Sequence, residues 1–129
     1  MYPTPLERDR RELLQNTAQI KQFLEAMPLI ELVVDLAHLN LWHGSTLEKL
    51  HVMQLAPERI LEIHISDNDG ARDTHAAITP KTWWIPYMAD FPPSVPIVLE
   101  SRMNHQSVEQ VRQQVQQIQA LFDPTIAHE

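Results

Sequence analysis

The chain has 129 residues, a 43% apolar share, no cysteine and a formal net charge of -7. One ordinary domain fits that length, and the apolar share argues against a disordered chain. The absence of cysteine excludes disulfides, thiolate metal sites and a Cys nucleophile, and the acidic balance disfavours tight nucleic-acid binding, which draws on phosphate neutralisation.

The N-terminal "MYPTPLERDR" lacks an apolar signal core. No apolar run approaches the roughly 18 residues a membrane span needs, so the default expectation is a cytoplasmic protein. The basic run Arg8-Asp9-Arg10-Arg11 falls in a helical pattern and reads as a solvated face. With only two glycines against ten prolines, no Gly-rich phosphate loop of standard form is available.

In chain order, Thr4-Pro5-Leu6-Glu7 reads as a capped helix start, and Leu13, Leu14, Ile20, Phe23 and Leu24 recur near helical spacing. A helix over 5–27 is expected to stop before Pro28. "LIELVVDLA" is short, β-branched and mostly apolar, as a buried parallel strand should be. Ser45-Thr46-Leu47-Glu48 is a capping box that opens a helix over 46–55, ended by Pro57.

"RILEIHIS" gives the second strand. Thr79-Pro80 suggests a cap and a first-turn proline, with a helix through Trp83, Trp84 and Tyr87 bent near Pro86. "VPIVLES" gives the third strand, and Ser107 caps a last helix with the stripe Val108, Val111, Val115, Ile118 and Phe122. The order α-β-α-β-α-β-α predicts an α/β domain over residues 1–129, with a parallel sheet and right-handed crossovers. The three βα units cover residues 29–122.

In such folds, active sites collect at the C-terminal ends of the strands. The first strand ends in Asp35 with His38 just beyond, the second in His64 with Asp73 and His75 in its loop, and the third in Glu100. Imidazole and carboxylate are ligands for iron, manganese and zinc, and several carboxylates together suit more than one ion. Glu100 is a candidate bridge between cations. Each residue also has a plainer reading: a strand-end Asp often caps a helix, His38 can fill space beside Trp42, and Asp67-Asn68-Asp69-Gly70 is ordinary turn chemistry. The coincidence at all three strand ends favours a metal site.

Other residues carry weaker signals. His43, His51, His105 and His128 have no comparable partners, and one of Trp83 and Trp84 is expected in the core. Glu62 shares strand parity with His64. Ser66 and Ser101 follow the site strands, but no Ser-His-Asp arrangement can be argued from spacing, so a nucleophilic hydrolase is a poor explanation. Asp69 and His38 are weak candidates for moving a proton.

The segments "VVDLAH", "EIHISDNDGARDTHAAIT", "TWW" and "IVLES" resemble the C-terminal half of the DUF692 proteins, the multinuclear non-haem iron-dependent oxidases of the xylose-isomerase-like TIM barrels. The resemblance runs from about residue 29 to residue 122, and "HISDNDGARDTH" is its most specific part. It implies that Asp35 and His64 share one metal with bridging Glu100, while His38, Asp73 and His75 surround another. Members often carry Asn where His38 stands. The family uses iron and dioxygen to oxidise a cysteine of a precursor peptide, often presented by a partner protein. The same residue order also resembles the endonuclease IV branch, with its trinuclear metal site.

A full (β/α)₈ barrel takes roughly 250 residues. The three strands here would be its last three. The earlier strands, which bring two histidines and another bridging glutamate in the family, would have to come from elsewhere. Helices on one side of three strands would leave the barrel-facing side open, exposing Val33, Ile63 or its neighbours, and Val98 according to register. The expectation is a homo-oligomer or docking on a separate N-terminal barrel half. The alternatives are a metal-dependent sugar isomerase or endonuclease IV-like phosphodiesterase using zinc or manganese, and a truncated non-catalytic module that binds a partner through its open sheet.

Overall fold

The computed structural model describes residues 16–42 and 44–123. The N-terminal cap at Thr4, the basic run at Arg8–Arg11, His43 and His128 lie outside them. Helix α1 is Thr17–Ala26, capped by Asn16, whose side chain accepts from the Gln19 N–H at 2.9 Å. Asn16 has extended backbone, so one helix does not run unbroken from residue 5 to 27. The helix closes at Met27, ahead of Pro28, as expected. Arg59 ties down that end: its guanidinium donates to the carbonyls of Leu24, Met27 and Ile30. A planar fork can satisfy several helix-end acceptors at once, which a lysine cannot.

Strand β1 (Leu32–Asp35) is shorter than the run 29–37, because the chain turns directly into a one-turn helix, α2 (Leu36–Leu39). The capping box at Ser45 is present and opens α3 (Thr46–Leu50), followed by α4 (Val52–Leu55). The expected helix over 46–55 is thus two short pieces that meet at His51. Strand β2 is Ile60–Ile65, β3 is Ile97–Leu99, and α5 is Val108–Phe122 with its Ser107 capping box.

No α-helix forms through Trp83, Trp84 and Tyr87. Turns there lead into a 3₁₀ helix over Ile85–Asp90. The bonds from Thr82 N to Thr79 O, Ile85 N to Thr82 O and Tyr87 N to Trp84 O are all of i→i+3 type. Pro86 has no N–H to give to residue 82, and its ring crowds the preceding turn, so the α ladder cannot propagate.

The three strands form one parallel sheet in the order β1-β2-β3, with helices flanking it. One register shift decides what faces where. Leu32 pairs with Ile60, yet Val33 pairs with Glu62, so Leu61 is passed over and stands 54% exposed. Beyond the shift, Val34 pairs with Ile63 and Asp35 with His64. A one-residue slip reverses the face of every later side chain. Ile60, Ile63 and Ile65 are therefore all buried, and Glu62 and His64 share the other face.

The buried face packs into a core with Ile20, Leu24, Val52, Met53 and Ile118. Trp84 is completely buried, within about 6 Å of Phe91 and Phe122 by ring centroids, and it fills the core place expected of one of the two tryptophans. The apolar stripe of α5 is only partly used: Ile118 is buried, but Val108 is 77% exposed.

The uncovered face differs from the expected apolar patch. Ile63 is fully buried on the other side, and Val33 shares the open face with Asp35, Glu62 and His64. His64 pairs with Val98, which puts Val98 and Glu100 on that same face. The surface is thus a ring of carboxylates and one imidazole, with valines beside it.

Candidate metal centre

Three elements deliver the central cluster. Asp35 ends β1, His64 sits near the end of β2, and Glu100 follows β3, where its N–H donates to the Ile65 carbonyl at 2.9 Å. One donor atom from each of Asp35, His64 and Glu100 lies within 4.8 Å of the others. Among the described residues, no other set of three His, Asp or Glu side chains meets that condition. Nδ1 of His64 stands 3.0 Å from Oε1 of Glu100, and its Nε2 stands 2.6 Å from Oε1 of Glu62. All three central residues are partly buried, which leaves an approach from the open face.

Burial works to lower the pKa of His64. The hydrogen bond to Glu62 and the charges of Glu100, Glu62 and Asp35 together outweigh it and hold the ring above its usual value. Those carboxylates thus favour the protonated form of the ring.

A second group joins the first. Nε2 of His38 meets Oδ2 of Asp73 at 2.6 Å, and Nδ1 of His38 lies 3.4 Å from Oδ2 of Asp35. His75 Nε2 lies 3.6 Å from Oδ1 of Asp73, and its Nδ1 is 3.2 Å from the Glu100 carbonyl. His75 has φ 51, a left-handed backbone that costs a non-glycine residue energy, on the order of 1–3 kcal/mol. Its carbonyl accepts from Arg102 N–H at 2.8 Å, so the turn after β3 holds the ring in place.

Asp73 supplies a test of fit. Its side chain is 3% exposed, and Oδ1 is buried without a hydrogen-bond partner. A buried carboxylate oxygen with no hydrogen bond is costly, and the nearest imidazole nitrogen, His75 Nε2, stands beyond hydrogen-bond reach at 3.6 Å. A cation between Asp73 and the two histidines would satisfy it, and the donor types suit such an ion. The six sequence-predicted ligands therefore come together as two linked groups, Asp35–His64–Glu100 and the looser His38–Asp73–His75. His38 is the most open member, with its side chain 55% exposed.

The plainer roles are present in the structure. Asp35 also caps α2, accepting from the His38 N–H at 3.0 Å. Asp67-Asn68-Asp69-Gly70 does build a turn. Asn68 accepts from Gly70 N–H and Asn40 Nδ2, and it donates to the Ala37 carbonyl. This pins the loop that carries Asp73 to the end of α2. Asp69 accepts from the Ala71 and Arg72 N–H groups, which hold its pKa below the ordinary carboxylate value. That makes it a poor proton carrier near neutral pH. Asp67 instead accepts from the Thr82 hydroxyl at 2.9 Å. Glu62 was legible only as sharing parity with His64. Its direct contact with the ring is the functional detail that spacing alone did not specify.

A cavity of about 320 Å³ opens beside Asp35 and His38, along the free edge of β1, walled by Ile20, Leu39, Trp42 and Val52. A second of similar size runs along β3 and α5, beside Leu99, Val115 and Phe122. No helix among the described residues is long and apolar enough to cross a membrane. Compared with known proteins, the chain matches no family model, no curated protein and no solved structure.

Proposed function

We propose that this chain is a metal-binding protein and forms part of a (β/α)₈-type oxidase site resembling those of the multinuclear iron-dependent enzymes. The observation that carries the reading is the meeting of Asp35, His64 and Glu100 donor atoms within 4.8 Å from three separate strand ends. Asp35, His64 and Glu100 would hold one ion. His38, Asp73 and His75 would hold a second, with the buried Asp73 Oδ1, which accepts no hydrogen bond, as the supporting sign. Iron bound there would supply the one-electron chemistry that lets dioxygen oxidise a thiol.

The chain's own residues then have distinct tasks. The carboxylates set the charge, His64 and the looser histidines supply nitrogen donors, and the cavity beside Asp35 and His38 offers space next to the site. A cysteine-containing peptide, presented by a partner protein in the cytoplasm, is the substrate class the resemblance suggests. Both outer strands of the sheet have a free edge with a cavity beside it, which supports completion of the sheet by a second copy or by a separate N-terminal barrel half.

Metal analysis of protein purified from iron-supplemented cells tests this reading. Stoichiometric iron supports the oxidase. Zinc or manganese instead would favour the isomerase or phosphodiesterase chemistry of the same superfamily. No metal under any loading would leave a partner-binding module without catalysis.

A further inference from the structure

The Glu62–His64 contact has a consequence for ligand geometry. His64 is flanked by two competing carboxylates, Glu62 at Nε2 (2.6 Å) and Glu100 at Nδ1 (3.0 Å). A neutral imidazole carries one N–H and one lone pair. If the proton sits toward Glu100, the lone pair is on Nε2, against Glu62, and the nitrogen beside Glu100 cannot act as a donor to a cation. If the proton sits toward Glu62, the lone pair of Nδ1 faces Glu100, one of the two carboxylates of the cluster.

We propose that Glu62 is a positioning residue that holds the proton of His64 on Nε2 and so presents Nδ1 as the ligand for a divalent cation. This rests on the metal reading above. Three observations carry it. The Glu62 contact is the shorter of the two and has charge-assisted length. Glu62 and His64 stand two residues apart on one face of β2, so the strand itself fixes their spacing. The register shift at Leu61 puts Glu62 on the open face rather than in the core. A carboxylate behind a histidine ligand fixes the ring and strengthens the donor, and its loss typically weakens metal binding about 10- to 100-fold.

The test uses the whole chain and zinc alone as probe. Zinc affinity is measured by chelator competition for wild type, Glu62→Ala and Glu62→Gln, and the His64 tautomer is read by long-range nitrogen NMR in metal-free protein at alkaline pH. Wild type is expected to carry the proton on Nε2. Glu62→Ala should lose that preference and bind zinc about 10- to 100-fold more weakly at unchanged stoichiometry. Glu62→Gln keeps a carbonyl acceptor and should lose less. Unchanged zinc affinity in Glu62→Ala, or a wild-type proton on Nδ1, overturns the proposal. If wild type takes up no zinc, the metal reading fails by itself, and the tautomer result alone then supports or overturns the positioning role of Glu62.

Discussion

Nδ1 of His64 lies 3.0 Å from Oε1 of Glu100, although His64 lies in β2 and Glu100 just past the end of β3. The contact follows from the sheet. His64 pairs with Val98, and Glu100 lies two residues on, at the same parity. Asp35 reaches the same place from the other side because it pairs with His64. Parallel strands in this register bring their C-terminal ends together, so three short segments assemble one polar cluster.

Asp35 has two roles that substitution can separate. It caps α2 through the His38 N–H and belongs to the proposed metal cluster. Asp35→Asn keeps a capping oxygen and removes the charge. It should fold with nearly unchanged thermal stability and bind metal at least tenfold more weakly. Asp35→Ala should lose the cap as well, at about 1 kcal/mol of stability. Calorimetry alongside metal titration of both variants checks this. Equal metal affinity in wild type and Asp35→Asn would reduce Asp35 to a cap.

The raised pKa of His64 ties metal-free stability to pH. Its folded pKa is raised above the usual value near 6.5 by Glu62, Glu100 and Asp35 acting against burial. A raised basic group stabilises the fold fully below its unfolded pKa of about 6.5 and loses that contribution as pH rises through the folded value. Urea unfolding of metal-free wild type and His64→Gln should therefore differ most at mildly acid pH. The gap should narrow toward alkaline pH, and a gap that widens there would contradict the carboxylate environment described for the ring.

The loop that presents Asp73 depends on Gly70 and Asn68. Gly70 has φ +85, and an added Cβ would meet the Asn40 carbonyl at 3.5 Å, an ordinary contact. The cost of Gly70→Ala is then backbone strain, about 1–2 kcal/mol. Asn68→Ala removes three hydrogen bonds that fasten the loop to Ala37, Asn40 and Gly70. It should cost about 1–3 kcal/mol. Hydrogen exchange should rise across residues 67–76 in both variants while β2 stays protected. Protection unchanged in the loop would mean that Asn68 does not anchor it.

Much of this was legible in the sequence. The β-branched runs, the Ser45 and Ser107 capping boxes and the alternation of elements all pointed to three parallel strands. The six strand-end residues were legible because parallel sheets gather such ends by topology. Three features that shape the site and its surroundings were not. The shift at Leu61 is a sheet-level choice that buries Ile60 and Ile63 together, and no local pattern announced it. The helix expected through Trp83 and Trp84 failed because the backbone demand of Pro86 outweighed the apolar spacing. The partition of the candidate ligands into a tight and a loose group depends on side-chain directions, including the left-handed turn at His75.

Cobalt(II) titration of the full chain, followed by its visible absorption, tests the central claim most directly. Wild type should bind cobalt with a saturable band, and His64→Ala and Glu100→Gln should each abolish the tight component while melting as cooperatively as wild type. Identical cobalt binding in all three proteins would show that the strand-end cluster is an ordinary set of hydrogen-bonded polar groups and not a metal centre.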